Sequence, residues 1–155
     1  EFTSELSRLA VGDELLIDKQ AFGFLTLDRF PDGRDLWLLA TGTGLAPFLS
    51  ILQDFEAWQR FERIILVYSV REARELAYQQ LIAELPQREY LEGLGHKLTY
   101  LPVVTREQVP GALNGRITIK HSFFSLEPSG QRVAADLFLQ YAICLFFFFG
   151  RFALQ

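Results

Sequence analysis

Thr41-Gly42-Thr43-Gly44 stands between an apolar run and a run with helical spacing. Glycines there let the backbone turn sharply and let a ligand approach it closely. A helix opening behind the turn aims free N–H groups and the positive end of its dipole at whatever lies over it, which suits an anion or a flat cofactor. Pro47 fits the first helical position, where its missing N–H has no intrahelical partner. The pattern is not the full G-x-G-x-x-G fingerprint, because Pro47 occupies the place of the third glycine. Arg71 and Arg106 each follow an apolar run that reads as a strand. Guanidinium donors match phosphate oxygens in pairs, so two arginines after separate strands point to phosphate binding.

Certain elements must bring these residues together. Residues 36–40 form a continuous apolar run, as expected of a strand covered on both faces. Phe48, Ile51, Leu52 and Phe55 then repeat at helical spacing. Residues 63–69 read as a second buried strand, and Ser69 with Glu72 has the spacing of a capping box. The helix it would start carries Ala73, Leu76, Ala77, Leu81 and Leu85 on one face and ends at Pro86. Residues 97–104 read as a third strand, followed by Thr105-Arg106-Glu107. This order predicts a right-handed α/β unit with a parallel sheet flanked by helices. Ligands bind such sheets beyond the carboxyl ends of the strands, where the glycine turn, Arg71 and Arg106 would converge. Ahead of this unit, residues 1–9 look like a short helix or turn and Val11-Gly12-Asp13 like a turn. Residues 14–19 and 22–27 read as short strands, and Asp32-Gly33 as a second turn.

Composition narrows the function classes. The chain has 155 residues, half of them apolar, and a net charge of −4. That charge gives no reason to expect nucleic acid or an anionic membrane surface, so an anion site must be a local arginine cluster. Cys144 is the single cysteine, which excludes an internal disulfide framework and a cysteine-based metal site and suits a reducing cytoplasm. His96 and His121 are far apart and form no ligand pair, so no metal is expected. No secretory signal opens the chain, which starts without methionine as if a preceding segment were missing.

The stretch 38–52, built on Ala40-Thr41-Gly42-Thr43-Gly44-Leu45-Ala46-Pro47-Phe48, resembles the NADP-domain motif of bacterial ferredoxin–NADP⁺ reductases. Phe2-Thr3-Ser4-Glu5-Leu6 with Gly12-Asp13-Glu14, and Ala21-Phe22-Gly23-Phe24-Leu25, resemble the end of that family's FAD domain. Arg60-Phe61-Glu62-Arg63, Tyr68-Ser69-Val70-Arg71-Glu72 with Glu75-Leu76-Ala77-Tyr78, Val103-Val104-Thr105-Arg106-Glu107 and Gly115-Arg116-Ile117 continue the match in order. It covers about residues 1–118. The resemblance implies a Rossmann-like α/β domain over residues 35–155, preceded in residues 1–34 by the last strands of an FAD-binding β-barrel. It implies FAD and NADP(H) as cofactors and ferredoxin or flavodoxin as partner. By matching position, Phe2, Thr3 and Ser4 would contact the FAD pyrophosphate region. Thr43, in the turn Thr41-Gly42-Thr43-Gly44, would lie against flavin and nicotinamide. Val70, Arg71, Thr105, Arg106 and Arg116 would hold the NADP phosphates, with the arginines selecting the 2′-phosphate. The chemistry would need no protein nucleophile, since hydride passes between nicotinamide and flavin.

The chain departs from that family in two places. The family's FAD barrel should precede residue 1, so a fragment of a longer protein is expected. Beyond Thr118 its Cys-Gly-x-Pro motif is not recognisable; Cys144 is followed by Leu145 and four phenylalanines, and a frameshifted gene end is one explanation. Residues 133–149 are mostly apolar and just long enough to be weighed as a membrane span. Asp136 and Gln140 argue against lipid, which favours a buried helix or strand completing the sheet. The run Phe146 to Phe149, if uncovered, would be a site of association. Three alternatives to a reductase stay open: a non-catalytic NADP-binding module, a related flavin reductase, and a protein held to a membrane or partner by its tail.

Overall fold

The computed structural model describes residues 2–20, 23, 25–30, 33–120, 123–128 and 141–146, with side chains described for 4–20, 23, 25–30 and 33–115. Helix α1 (Phe2–Leu6) is followed by a segment whose residues, through 20, are all exposed. The packed core starts at β1 (Asp35–Thr41) and continues through α2 (Leu45–Leu52), α3 (Phe55–Arg60), β2 (Arg63–Val70), α4 (Gln79–Glu84) and β3 (Leu98–Val104). Strands β4 (Leu113–Lys120), β5 (Phe123–Pro128) and β6 (Tyr141–Phe146) complete a six-stranded sheet of order β5-β4-β3-β2-β1-β6. Strands β1, β2, β3, β4 and β6 pair in parallel, and β5 returns antiparallel to β4. The parallel α/β expectation holds; the β4–β5 hairpin at its edge is an addition to it.

The apolar runs behave as two-faced strands. Leu36, Leu38 and Ala40 join Ile64, Leu66, Tyr68 and Val70 in the larger core, under Phe48, Leu52, Trp58 and Phe61. Trp37 and Leu39 join Ile65, Val67 and Val103 on the opposite face. Side chains alternate between faces along a strand, so a run buried on both sides has to be apolar throughout. The amino edge of the sheet is fixed by polar bonds. The Asp35 carboxylate is fully buried and accepts from Arg63, the residue opposite it in β2, and from Arg34 at 3.3 Å. Lys97 donates to the carbonyls of Trp58 (2.7 Å) and Phe61 (2.9 Å), tying α3 to the start of β3.

Several local expectations are corrected. Residues 14–19 form no strand; they lie exposed, and a strand needs a neighbour to receive its ladder bonds. Of the second expected strand, residues 22 and 24 lie outside the described residues, as does Asp32 of the turn, while Leu27–Arg29 is a 3₁₀ turn. The helix after the glycine turn breaks after Leu52, and Asp54 caps a new helix by accepting from Glu56 N–H at 3.0 Å. Phe55 therefore sits exposed at the start of α3 instead of extending the buried stripe. Pro47 is the third residue of α2, still inside the first turn whose N–H groups lack intrahelical partners. Ser69 caps nothing: it is buried in β2, which runs on to Val70. In place of one long helix there is a 3₁₀ turn (Ala73–Glu75), an extended break and then α4; Ala77 is exposed and Ile82 is the buried anchor. Of the tail, residues 141–146 are a strand beside β1, in keeping with a segment that completes the sheet. The rest of 119–155, apart from residues 119, 120 and 123–128, lies outside the described residues. Among the described residues no helix is long and apolar enough to cross a membrane.

Candidate nucleotide-binding site

Register brings the candidate residues to one level. Thr41, Ser69 and Val103 are paired neighbours across β1, β2 and β3, and Val104 pairs with Asn114 of β4. The glycine turn, Arg71, Arg106 and Arg116 all begin within a few residues of that line, at the carboxyl edge of the sheet. Arg71 comes one residue after the Val70–Val104 pair, Arg106 two residues after it, and Arg116 two residues after Asn114, the last β4 residue paired with β3. Adjacent strands lie about 4.8 Å apart, so the paired ends of β2, β3 and β4 that carry these arginines span roughly 10 Å, with the turn one spacing further on. Strand order also reverses at β1: the chain moves from β1 to β2 and β3 on one side, and β6 lies on the other. The glycine turn thus sits at a topological switch point, the usual crevice for ligands in open α/β sheets.

The turn itself is open. Thr41 ends β1 in extended geometry, Gly42 has φ +51°, and residues 42–44 make a 3₁₀ turn that runs directly into α2. A side chain is strained at that φ, and no atom lies within 4 Å of where a Cβ would stand on Gly42. Glycine is therefore favoured by the backbone, and the space where a Cβ would stand is open. Gly42 and Thr43 are exposed, Thr41 is half-buried and Gly44 is buried. No side chain caps the N-terminus of α2, although the Leu45 N–H donates to Thr43 O and Pro47 has no N–H to offer.

The arginine loops are stitched together. Thr105 N–H donates to Val70 O and Arg106 N–H to Arg71 O, both at 3.0 Å, carrying the β2–β3 ladder past the ends of the strands. The Glu75 carboxylate accepts from Arg71 N–H at 2.9 Å and from Glu72 N–H at 3.4 Å. The amide at Arg71, then that at Glu72, holds the Glu75 carboxyl below its ordinary value. Glu107 accepts from Ala73 N–H. Asn114 Nδ2 donates to Val104 O (3.2 Å) and to Glu107 O (2.8 Å), fastening β4 to the same loop. Tyr68 sends its hydroxyl to Glu75 O at 3.1 Å, and burial pushes that phenol up. Arg71, Thr105 and Arg106 are exposed, and among the described residues neither guanidinium makes an ion pair.

The other expected positions fall as follows. Val70 is buried, so only its main chain faces the loop. Arg116 lies in β4 just after Gly115, whose φ is +125°. Phe2, Thr3 and Ser4 lie on α1, with Ser4 exposed. No group of three or more acidic, histidine or cysteine residues among the described residues could hold a metal. Glu75, Glu107 and Asn114 carry structural roles that arginine spacing did not reveal. Tyr78, the N-cap position of α4, is the one non-glycine residue at positive φ (59°) among the described residues, and it is exposed.

Known proteins with this arrangement are similar in sequence as well. The model of the oxidoreductase NAD-binding domain matches residues 38–129. The ferredoxin–NADP reductase of Azotobacter vinelandii is 48% identical over 118 residues, covering 75% of this chain and 45% of the relative. Ferredoxin–NADP reductase A of Sorangium cellulosum is 46% identical over 139 residues, covering 88% of this chain and 47% of the relative. That match extends beyond the 118 residues that motifs alone delimit. A crystal structure of a ferredoxin NADP⁺ reductase from Neisseria gonorrhoeae, with bound FAD and NADP, superimposes with a TM-score of 0.62 at 40% identity, covering 74% of this chain and 44% of that one. The chain spans about half the length of these relatives. With its switch-point glycine turn and matched core, the chain belongs to the oxidoreductase NAD-binding domain family, and its similarity within that family is to bacterial ferredoxin–NADP reductases.

Proposed function

We propose that this chain is the NADP(H)-binding part of a ferredoxin/flavodoxin–NADP⁺ reductase-type flavoenzyme. The observation that carries the reading is that Arg71 and Arg106 directly follow the adjacent strands β2 and β3, and Arg116 lies near the start of β4 beside them, one strand from an open glycine turn. The residues fit a dinucleotide bearing an extra phosphate. Arg71 and Arg106 are exposed and unpaired among the described residues, which leaves their donors for phosphate oxygens. Thr105 adds a hydroxyl, and Val70 a main-chain edge. At the turn, the open space at Gly42 and the exposure of Thr43 support a reading in which Gly42 leaves room for the nicotinamide end and Thr43 lies against nicotinamide and flavin. Toward FAD the chain offers Phe2, Thr3 and Ser4 on α1, with residues 1–34 read as the end of an FAD barrel and 35–155 as the nucleotide domain.

When bound, nicotinamide and flavin supply the hydride chemistry. The work of this chain is orientation: arginines anchor the adenosine end and the turn fixes the reacting end, which converts binding energy into alignment. Ferredoxin or flavodoxin is the proposed electron partner, and a cytoplasmic location goes with the lone cysteine.

The visible spectrum of the purified chain tests the reading, with and without added FAD and then with NADPH under anaerobic conditions. A flavin spectrum that bleaches with NADPH supports a reductase. A colourless protein that ignores FAD but binds NADP⁺ reduces the reading to a non-catalytic nucleotide module. One that binds neither overturns it.

A further inference from the structure

Three acidic residues share the arginine loops with Arg71 and Arg106, and each has a partner other than those two arginines. Glu72 pairs with Arg74 at 2.7 Å. Glu75 holds the amides of Arg71 and Glu72. Glu107 holds the amide of Ala73, across from its own loop. Carboxylates this close to two guanidinium groups would ordinarily compete with phosphate for them. Glu75 and Glu107 are engaged with main-chain donors and Glu72 with Arg74, which lessens that competition.

Glu107 has the further distinction of joining two loops. The backbone ladder between β2 and β3 ends at the Arg106–Arg71 bond. Beyond it, among the described residues, the Glu107 carboxylate makes the next link between the two segments, and its main-chain carbonyl is anchored to β4 through Asn114. We propose that Glu107 is a positioning residue of the nucleotide site: by binding Ala73 N–H it clamps the Arg71 loop against the Arg106 loop so that both guanidinium groups converge on one phosphate. This rests on the reading of Arg71 and Arg106 as phosphate ligands. Glu107 touches no ligand itself and acts through the two arginines.

The test measures NADP⁺ and NAD⁺ affinity of the full chain in four forms: wild type, Glu107→Ala, Glu107→Gln and Glu107→Asp. The alanine variant loses the acceptor and is expected to bind NADP⁺ about tenfold more weakly, the loss typical of one hydrogen bond to a charged group, with NAD⁺ affinity changed far less. Glutamine keeps an acceptor oxygen at the same reach and should restore binding to within about threefold of wild type. Aspartate keeps the charge but withdraws the carboxylate by one methylene, and should resemble alanine. In an Arg71→Ala background the effect of Glu107→Ala should largely vanish, because the two act as one unit. Amide hydrogen exchange at Ala73 should accelerate in the alanine and aspartate variants and stay slow with glutamine, a readout independent of nucleotide. Tighter NADP⁺ binding in both alanine and glutamine variants would mean that Glu107 merely repels phosphate, and would overturn the proposal. Equal losses for both nucleotides, or unchanged Ala73 exchange, would overturn it too. A wild-type chain with no preference for NADP⁺ over NAD⁺ overturns the phosphate reading itself, and this inference with it.

Discussion

Replacing Arg106 by alanine removes a guanidinium that is exposed, free of any ion pair among the described residues, and carried on a backbone bonded to Arg71 O at 3.0 Å. The backbone bond survives the substitution, so the loop should keep its path and the loss should report the side chain alone. A hydrogen bond to a charged group is worth about 1.5–3 kcal/mol. Because Arg106 is solvent-exposed, screening puts the expectation in the lower half of that range, about 1.5–2 kcal/mol, or roughly 10- to 30-fold in Kd. A phosphomonoester carries about −1.5 to −2 charges at pH 7, and NAD⁺ lacks that group, so the penalty should fall on NADP⁺ and spare NAD⁺. Titration calorimetry with NADP⁺, NAD⁺ and 2′,5′-ADP at two ionic strengths reads all of this. NADP⁺ binding should weaken with salt in wild type and less steeply in the variant. Losses of equal size for NADP⁺ and NAD⁺ would refute the assignment of Arg106 to the 2′-phosphate.

Three other outcomes follow from the same structure. Gly42→Ala places a side chain at φ +51°, which should cost about 1–2 kcal/mol in urea unfolding and also impair ligand approach; an unchanged midpoint would contradict the left-handed turn. Asp35→Ala removes the buried carboxylate that Arg63 and Arg34 share, and should cost about 1.5–3 kcal/mol without altering nucleotide binding; a change below half a kcal/mol (on the order of what surface substitutions show) would contradict a structural role. The Glu75 carboxyl is held below its ordinary value of 4.5 by the amides of Arg71 and Glu72. A depressed folded pKa means that its contribution is complete above the unfolded value and is lost as pH falls through the folded one. The brace should therefore persist at pH 5 and fail only in stronger acid, and a carboxyl-carbon NMR titration with a midpoint at or above 4.5 would contradict it.

The sheet was legible because burial on both faces leaves a plain signature. Runs at 36–40 and 64–68 can be apolar throughout only if neither face meets water. The turn was legible because Gly42 stands where a side chain would be strained. Helix boundaries were less so. Ser69 and Glu72 have capping spacing, yet strand pairing with Thr41 and Val103 holds Ser69 in β2, a tertiary demand that local spacing does not encode. Residues 14–19 carry a short apolar run that reads as a strand, but a ladder needs a neighbour and none among the described residues pairs with them. Arg71 and Arg106 could be found because each follows an apolar run. Glu75, Glu107 and Asn114 could not, because their partners are main-chain amides and carbonyls, which sequence does not mark. The hint for Glu107 was its place directly after Arg106.

The most direct single measurement is the affinity of the 155-residue chain for NADP⁺ set against that for NAD⁺, by titration calorimetry at low ionic strength. Arginines just past the ends of β2 and β3 and in β4, beside an open glycine turn, predict tighter binding of NADP⁺, by about tenfold or more, the scale of one charge-assisted phosphate contact, and displacement by 2′,5′-ADP. Equal affinities, or no binding of either nucleotide, would contradict a site built for the 2′-phosphate.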